Sequence, residues 1–230
     1  VANMARALII TAPGINCDLE LAEAFTLAGA QPFCVHINKL MRNPSLIDSA
    51  DLIGFPGGFS YGDAVAAGRI MANLMRATLY EALVEAIRRS VPIIAPCNGF
   101  QIAAQIGLLP GPTPGSDWLQ TPPDPSVTLA QNTSARFIDK WVEFVVPSNT
   151  RCVWTKNLEM TPQTSCIPIA HGEGRFVPRD ENVMQQHIDL YVNDYTLDYS
   201  TDGEAAITDL YHRAEVANII PPSDLPIFMS

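Results

Sequence analysis

The chain has 230 residues, a formal net charge of −10, and is 47% hydrophobic and 17% charged. That length and composition allow one substantial buried core. The acidic balance repels phosphate backbones and anionic lipid, so neither nucleic acid nor a membrane surface is expected as a partner. No apolar run approaches the roughly 18 residues of a membrane-spanning helix.

Residues 6–11 (RALIIT) form a short apolar, β-branched run and are read as a buried strand. The run Ala7 to Ala12 is too short for a signal-peptide core. Asp18 can cap a helix running to about Ala28, with Leu21, Ala24, Phe25 and Ala28 at helical spacing and Gly29 as the stop. A second strand follows at 32–37, then a short helix near 44–49 and a third strand from Asp51 to Phe55. The loop PGGFSYG occupies 56–62. Residues 64–89 read as helix, interrupted or kinked near Gly68. The strand VPIIAP (91–96) precedes a helix over 98–106. This alternation predicts right-handed β-α-β crossovers and a mainly parallel sheet.

Residues 110–126 are rich in Pro, Gly and Asp and read as a loop. Beyond them, short strand-like runs dominate: Val127–Ala130, Trp141–Val146, Ile167–Ala170 and Leu190–Val192. This half should be more antiparallel and irregular, with residues 193–203 as a surface loop. No repeats, heptads or second core are seen, so residues 1–230 are read as a single domain.

The five cysteines, Cys17, Cys34, Cys97, Cys152 and Cys166, are widely spaced. They contain no C-x-x-C pair, so neither a metal site nor a disulfide framework is expected. Reduced thiols in the cytoplasm fit best. The sequon Asn132-Thr133-Ser134 is taken as chance.

Ligands of open parallel sheets bind at the carboxyl ends of the strands. Two loops lie there: Pro56-Gly57-Gly58-Phe59 and Pro96-Cys97-Asn98-Gly99-Phe100. A cysteine between a β-branched strand and a helix resembles a nucleophile elbow with Cys in place of Ser. A helix N-terminus favours thiolate by its dipole. The backbone N–H of Asn98 is placed to help form an oxyanion hole, and the Gly57-Gly58 loop to supply a second donor. From the residues alone, a buried cysteine in a close-packed turn is the competing reading.

The segments PGINCD (13–18), PGGFSYGD (56–63) and PCNGFQIAAQIGLLPG (96–111) together resemble the glutaminase subunits of phosphoribosylformylglycinamidine synthase. QNTSARF (131–137), the strand containing Trp141, and PIAHGEGRF (168–176) follow in order. Those subunits are class I, triad-type glutamine amidotransferases of purine biosynthesis. The resemblance implies a flavodoxin-like α/β three-layer sandwich of the class I amidotransferase type. It implies that Cys97 attacks the side-chain amide of glutamine and forms a γ-glutamyl thioester. Ammonia would pass to a large synthase subunit that converts formylglycinamide ribonucleotide to its amidine. Gly57, Gly58, Phe59 and Asn98 are read as substrate-binding; Gln101, one helical turn beyond Cys97, can return its side chain toward the substrate, with an ordinary exposed helix residue as the alternative. No cofactor is implied for this chain; ATP and magnesium would belong to the partner subunit. Asn132, Ser134 and Arg136 match an N-x-S-x-R-F segment of the pocket or of the subunit contact; a strand-end turn is the alternative.

In the family's pattern a His–Glu pair near the C-terminus serves the thiol. Aligning on Gly203-Glu204-Ala205-Ala206-Ile207 puts Pro222 at the histidine position and leaves Asp224 at the acid position, as a possible acid remnant. Three readings follow: a degenerate subunit with impaired activity, another histidine as base, or a different C-terminal register. His171 is the first substitute, with orientation of its own G-E-G turn as its other role, and His212 is the second. His36 reads as a partly buried structural histidine, His187 and His212 as surface residues, and Glu173 as loop architecture. Cys17, Cys34, Cys152 and Cys166 read as buried or inert thiols. The competing functions are a non-catalytic regulatory or assembly subunit, favoured by Pro222, and a different cysteine enzyme of the same fold, such as a hydrolase or glyoxalase-like protein, disfavoured by GGFSYGD.

Overall fold

The computed structural model describes residues 4–113, 115–161 and 164–180. The expected strand Leu190–Val192, the loop 193–203, and His187, His212, Pro222 and Asp224 lie outside the described residues.

The N-terminal half is built on a parallel sheet. Strands β1 (Arg6–Thr11), β2 (Gln31–His36), β3 (Leu52–Gly54) and β4 (Ile93–Ile94) take the order β2-β1-β3-β4. That is the order in which flavodoxin-like doubly wound sheets begin. β1 is central, with Ile9 opposite both Cys34 of β2 and Gly54 of β3. Its two-residue side-chain period separates two cores. Leu8 and Ile10 face the larger one, with Val35, Ile53 and Phe55, while Ala7 and Ile9 face the other, with Phe25 and Ala30. Both faces are therefore covered, which explains why β1 reads as a continuous apolar run rather than an alternating one.

Helix α1 (Asp18–Leu27) covers the smaller core through Phe25, its one fully buried residue. Asp18 is the first helical residue rather than the cap, which is Cys17 without a side-chain capping bond. The larger core takes α2 (Ile37–Arg42), a 3-10 turn at Pro44–Ser49, α3 (Arg69–Thr78), α4 (Tyr80–Arg88) and α5 (Asn98–Ile106). The helix expected over 64–89 with an interruption near Gly68 begins only after Gly68, the left-handed N-cap of α3, and breaks again at Leu79 into two helices. Leu79 is itself buried, so the break lets both α3 and α4 press apolar faces onto one core.

The later segments pair antiparallel, as expected. β5 (Val127–Ala130) pairs with β8 (Arg175–Pro178), and β6 (Ile138–Glu143) with β7 (Cys166–His171). β6 starts three residues before the Trp141–Val146 run, and β8 was not anticipated because Gly174 and Pro178 bound so short a segment. Trp154 anchors this half to the sheet: its indole Nε1–H donates to the Ile93 carbonyl at 2.9 Å, and its ring meets Phe25 at 6.4 Å between centroids.

Ile53 is fully buried on β3 between the core helices and β1. Ile53→Ala should lower unfolding free energy by about 2–5 kcal/mol, measured as a shifted urea midpoint.

Candidate active site

Cys97 stands between β4 and α5 with φ 53° and ψ −118°. Left-handed backbone at a non-glycine residue costs on the order of 1–3 kcal/mol and persists only where its surroundings fix it. The first turn of α5 does the fixing. Gly99 N–H donates to the Pro96 carbonyl at 2.9 Å, and the N–H groups of Phe100 and Gln101 both donate to the Cys97 carbonyl, at 2.9 and 3.3 Å. Gly99 packs directly on the end of β3: a Cβ added there would overlap the Phe55 carbonyl oxygen and lie 2.8 Å from its carbon. Cys97 is exposed, whereas Asn98 and Gly99 are buried.

The second wall is the glycine loop after β3, stitched to the segment after β1. Phe59 N–H donates to the Gly14 carbonyl at 2.9 Å, Tyr61 N–H to Pro13 at 2.7 Å, and Cys17 N–H to Gly57 at 3.3 Å. Gly57 lies between the two thiol-bearing residues: a Cβ there would be in van der Waals contact with Cys97 Cβ at 3.4 Å and Cys17 Sγ at 3.6 Å. Gly58 has φ +141° and forms an isolated bridge with Ile15. Among the described residues, the N–H groups of Gly58 and Asn98 have no hydrogen-bond acceptor. Buried backbone donors are paired in the great majority of cases, so two unspent ones beside an exposed thiol form a ready site for a developing oxyanion. Phe59 offers no such donor, since its N–H is spent on Gly14; its ring is exposed.

The side chains of Asn98 and Gln101 are occupied elsewhere. Asn98 Oδ1 accepts from Ser60 N–H at 3.1 Å, and its Nδ2 donates to Asp63 Oδ1 at 3.2 Å and Gln101 Oε1 at 2.9 Å. Gln101 Nε2 donates to the Glu173 carbonyl at 3.0 Å. The Glu173 carboxylate accepts from Ala67 N–H at 3.4 Å. Both amides therefore tie the elbow to the 60–68 loop and to the β7–β8 turn, and the Gln101 amide is committed to protein partners rather than open to a ligand.

His171 belongs to that turn. Its Nδ1 lies 3.0 Å from Asn132 Oδ1, and its ring lies against Gly174. Asn132 is buried; its Nδ2 donates to the carbonyls of Arg136 and His171, both at 2.9 Å, and its Oδ1 also accepts from Gly174 N–H at 3.3 Å. Among the described residues no hydrogen bond joins His171 to Cys97. The loop-orienting role is the one its contacts support. Arg136 contributes its backbone to this turn, and Ser134 Oγ accepts from Arg136 N–H at 3.3 Å. Among the described residues, no group of three or more His, Cys, Asp or Glu side chains could hold a metal ion.

Cys17, Cys34 and Cys152 are exposed rather than buried, and Cys17 faces Cys97 across Gly57. Partial burial raises its pKa above the ordinary thiol value, and the charges of Glu20, Cys97 and Asp18 push the same way. All of these disfavour thiolate. Iodoacetamide labelling of Cys17, followed by peptide mass spectrometry, should reach half its limiting rate at a higher pH than N-acetylcysteine. The buried Asn132 carries its turn through four contacts, so Asn132→Ala should cost about 2–4 kcal/mol in urea denaturation.

The family model for the CobB/CobQ-like glutamine amidotransferase domain matches residues 4–212. A phosphoribosylformylglycinamidine synthase subunit PurQ of Dehalococcoides mccartyi is 36% identical over 189 residues, covering 82% of this chain and 69% of that protein. The protein of the same name from Treponema denticola is 32% identical over 222 residues, covering 95% and 72%. One from Methanococcus maripaludis is 37% identical over 171 residues, and there the chain spans 59% of the relative's length. Among solved structures, that of PurLQS from Thermotoga maritima matches with a TM-score of 0.59 and 33% identity, over 78% of this chain and 72% of that one.

Proposed function

Because the chain belongs to the CobB/CobQ-like glutamine amidotransferase family, with PurQ subunits of phosphoribosylformylglycinamidine synthase among its relatives, we propose that it releases ammonia from glutamine for such a synthase. The observation that carries this reading is the exposed Cys97, held in left-handed backbone beside the unspent N–H groups of Gly58 and Asn98.

The chemistry follows from that arrangement. The Cys97 thiolate attacks the side-chain carbonyl carbon of glutamine. The carbonyl π electrons move to oxygen, and the two N–H groups receive the oxyanion, the interaction worth most in acyl transfer. Collapse breaks the C–N bond; the nitrogen takes up a proton and leaves as ammonia, and a γ-glutamyl thioester remains on Cys97. Water then attacks the thioester and restores the thiolate with release of glutamate. Ammonia passes to a larger synthase subunit in the cytoplasm, which uses ATP and magnesium to make the amidine; this chain contributes no cofactor. In the C-terminal register taken above, Pro222 falls at the family's histidine position and Asp224 at its acid position, and the base is then an imidazole from elsewhere in the chain or solvent; a different register would restore a base from the C-terminal segment.

Glutamate release by the purified chain, with and without its synthase subunit, tests the proposal. The chain should release glutamate, and Cys97→Ala should lose activity to the background rate. A glutamine-mimicking alkylating agent should add one label, on Cys97. Release equal to that of Cys97→Ala, with the synthase subunit present, would overturn the reading and leave the non-catalytic subunit. If His171 supplies the base, His171→Asn should bring glutamate release down to the Cys97→Ala level; if it only orients the loop, release should fall only in part.

A further inference from the structure

A cavity of about 440 Å³ opens between α3 and the β5–β8 pair. It is lined by Arg69, Arg76 and Arg179, with Asn73, Ser126 and Thr128 among its polar groups, and among the described residues no carboxylate lines it. Three guanidinium groups converging in a chain of net charge −10 is the reverse of what the composition leads one to expect. Among the described residues, none of the three makes an ion pair with a carboxylate.

Two of these arginines are fixed in place. Arg76 Nη1 donates to the carbonyls of Ile106 at 2.9 Å, Pro123 at 2.7 Å and Gln105 at 3.3 Å, and its Nη2 to Pro122 at 3.4 Å. It closes the C-terminal end of α5 and forms a rigid cationic wall. Arg69 donates through Nε to Gln105 Oε1 at 2.5 Å, which orients the fork and leaves both terminal nitrogens without a described partner. Gln105 is buried and donates in turn to the Ala67 carbonyl at 2.6 Å. The Arg179 guanidinium has no hydrogen bond to a described residue, while its N–H holds β8 to Ser126 at 2.7 Å.

We propose that this cavity is a binding site for a small phosphate-bearing anion, gripped by Arg69 and Arg179 against the wall formed by Arg76. Guanidinium forks match phosphate oxygens in pairs, and two of the three are already immobilised, so little side-chain entropy is lost on binding. The hydroxyls of Ser126 and Thr128 and the amide of Asn73 supply neutral donors for the remaining oxygens. The concave shape and volume fit a small molecule rather than an extended acidic peptide. Gln105 joins Arg69 to Ala67, whose N–H reaches Glu173, so the occupied site would brace the same loop that packs on the elbow. The assignment does not depend on the glutaminase reading.

Calorimetric titration of the full chain with inorganic pyrophosphate, and separately with ribose 5-phosphate, at low ionic strength tests it. Saturable one-to-one binding is expected, weakened about tenfold or more in Arg69→Gln and in Arg179→Gln. Arg76 is left intact because it also holds the fold, and an unchanged thermal midpoint would show that each variant is folded. Binding of both probes supports a phosphate-ester ligand, and of pyrophosphate alone a free polyphosphate. Absence of saturable binding of either probe would overturn the proposal, as would binding that both substitutions leave unchanged or capture of an acidic polypeptide without small-anion binding.

Discussion

The contact between the first turn of α5 and the carboxyl end of β3 governs the rest of the site. Gly99 sits so close to the Phe55 carbonyl that no side chain fits between them. That approach fixes where the first turn of α5 lies, and Cys97, two residues before Gly99, enters it at φ 53°. The strain is local, but the forces that hold it are not. Phe55 and Ile102 both lie fully buried in the larger core, so the packing of sheet against helix sustains the turn. An exposed thiol with a fixed direction is therefore a by-product of burying apolar surface, which is the strongest force available to the chain.

Side-chain amides do the remaining wiring. Asn98, Gln101, Gln105 and Asn132 each join elements that the chain order keeps apart, and Asn98, Gln105 and Asn132 are buried. An amide donates and accepts at once, so one side chain can hold two loops without a buried net charge. A carboxylate or ammonium in the same places would need a counter-charge to offset its desolvation. Through these amides the segments 56–63, 96–101 and 171–174 become one hydrogen-bonded unit around Cys97. Their joint appearance in the sequence has that physical meaning: each segment supplies partners that the others lack.

Strand and helix order in the first half was legible because apolar runs, helical spacing and glycine stops all agree there. The elbow was legible for the same reason: only a few residue types fit between a buried strand and a helix. What could not be read was the destination of polar side chains. Gln101, one turn beyond Cys97, is equally consistent with facing a ligand or a neighbouring loop, and the choice is made by Glu173, 72 residues away. Cys17 was passed over because a cysteine in a loop carries no periodic signal; its place opposite Cys97 depends on the pairing of two loops through Gly57. The break at Leu79 escaped notice for a related reason, since both sides of it are good helix and only the shared core requires the bend. The arginine cavity was invisible because α3 and β8 meet only through tertiary packing.

The proposed oxyanion donors are backbone groups, and this separates two tasks that a triad enzyme usually presents together. The thiol's direction and the donors at Gly58 and Asn98 come from the first hundred residues, held by the larger core. The family's proton acceptor comes from a segment more than a hundred residues further on. Under the proposed reading, a change in that later segment alters who takes the thiol proton and leaves the main-chain donors in place. In triad enzymes lacking a member, the oxyanion site and substrate binding alone still accelerate the reaction roughly 10³–10⁴-fold over water. On the proposed reading, whatever catalysis the main chain provides is independent of the residue at the histidine position. Proton transfer by a positioned group is a step worth typically 10²–10⁴-fold, and under the proposed reading a partner, solvent or another imidazole would supply it without any rearrangement of the elbow.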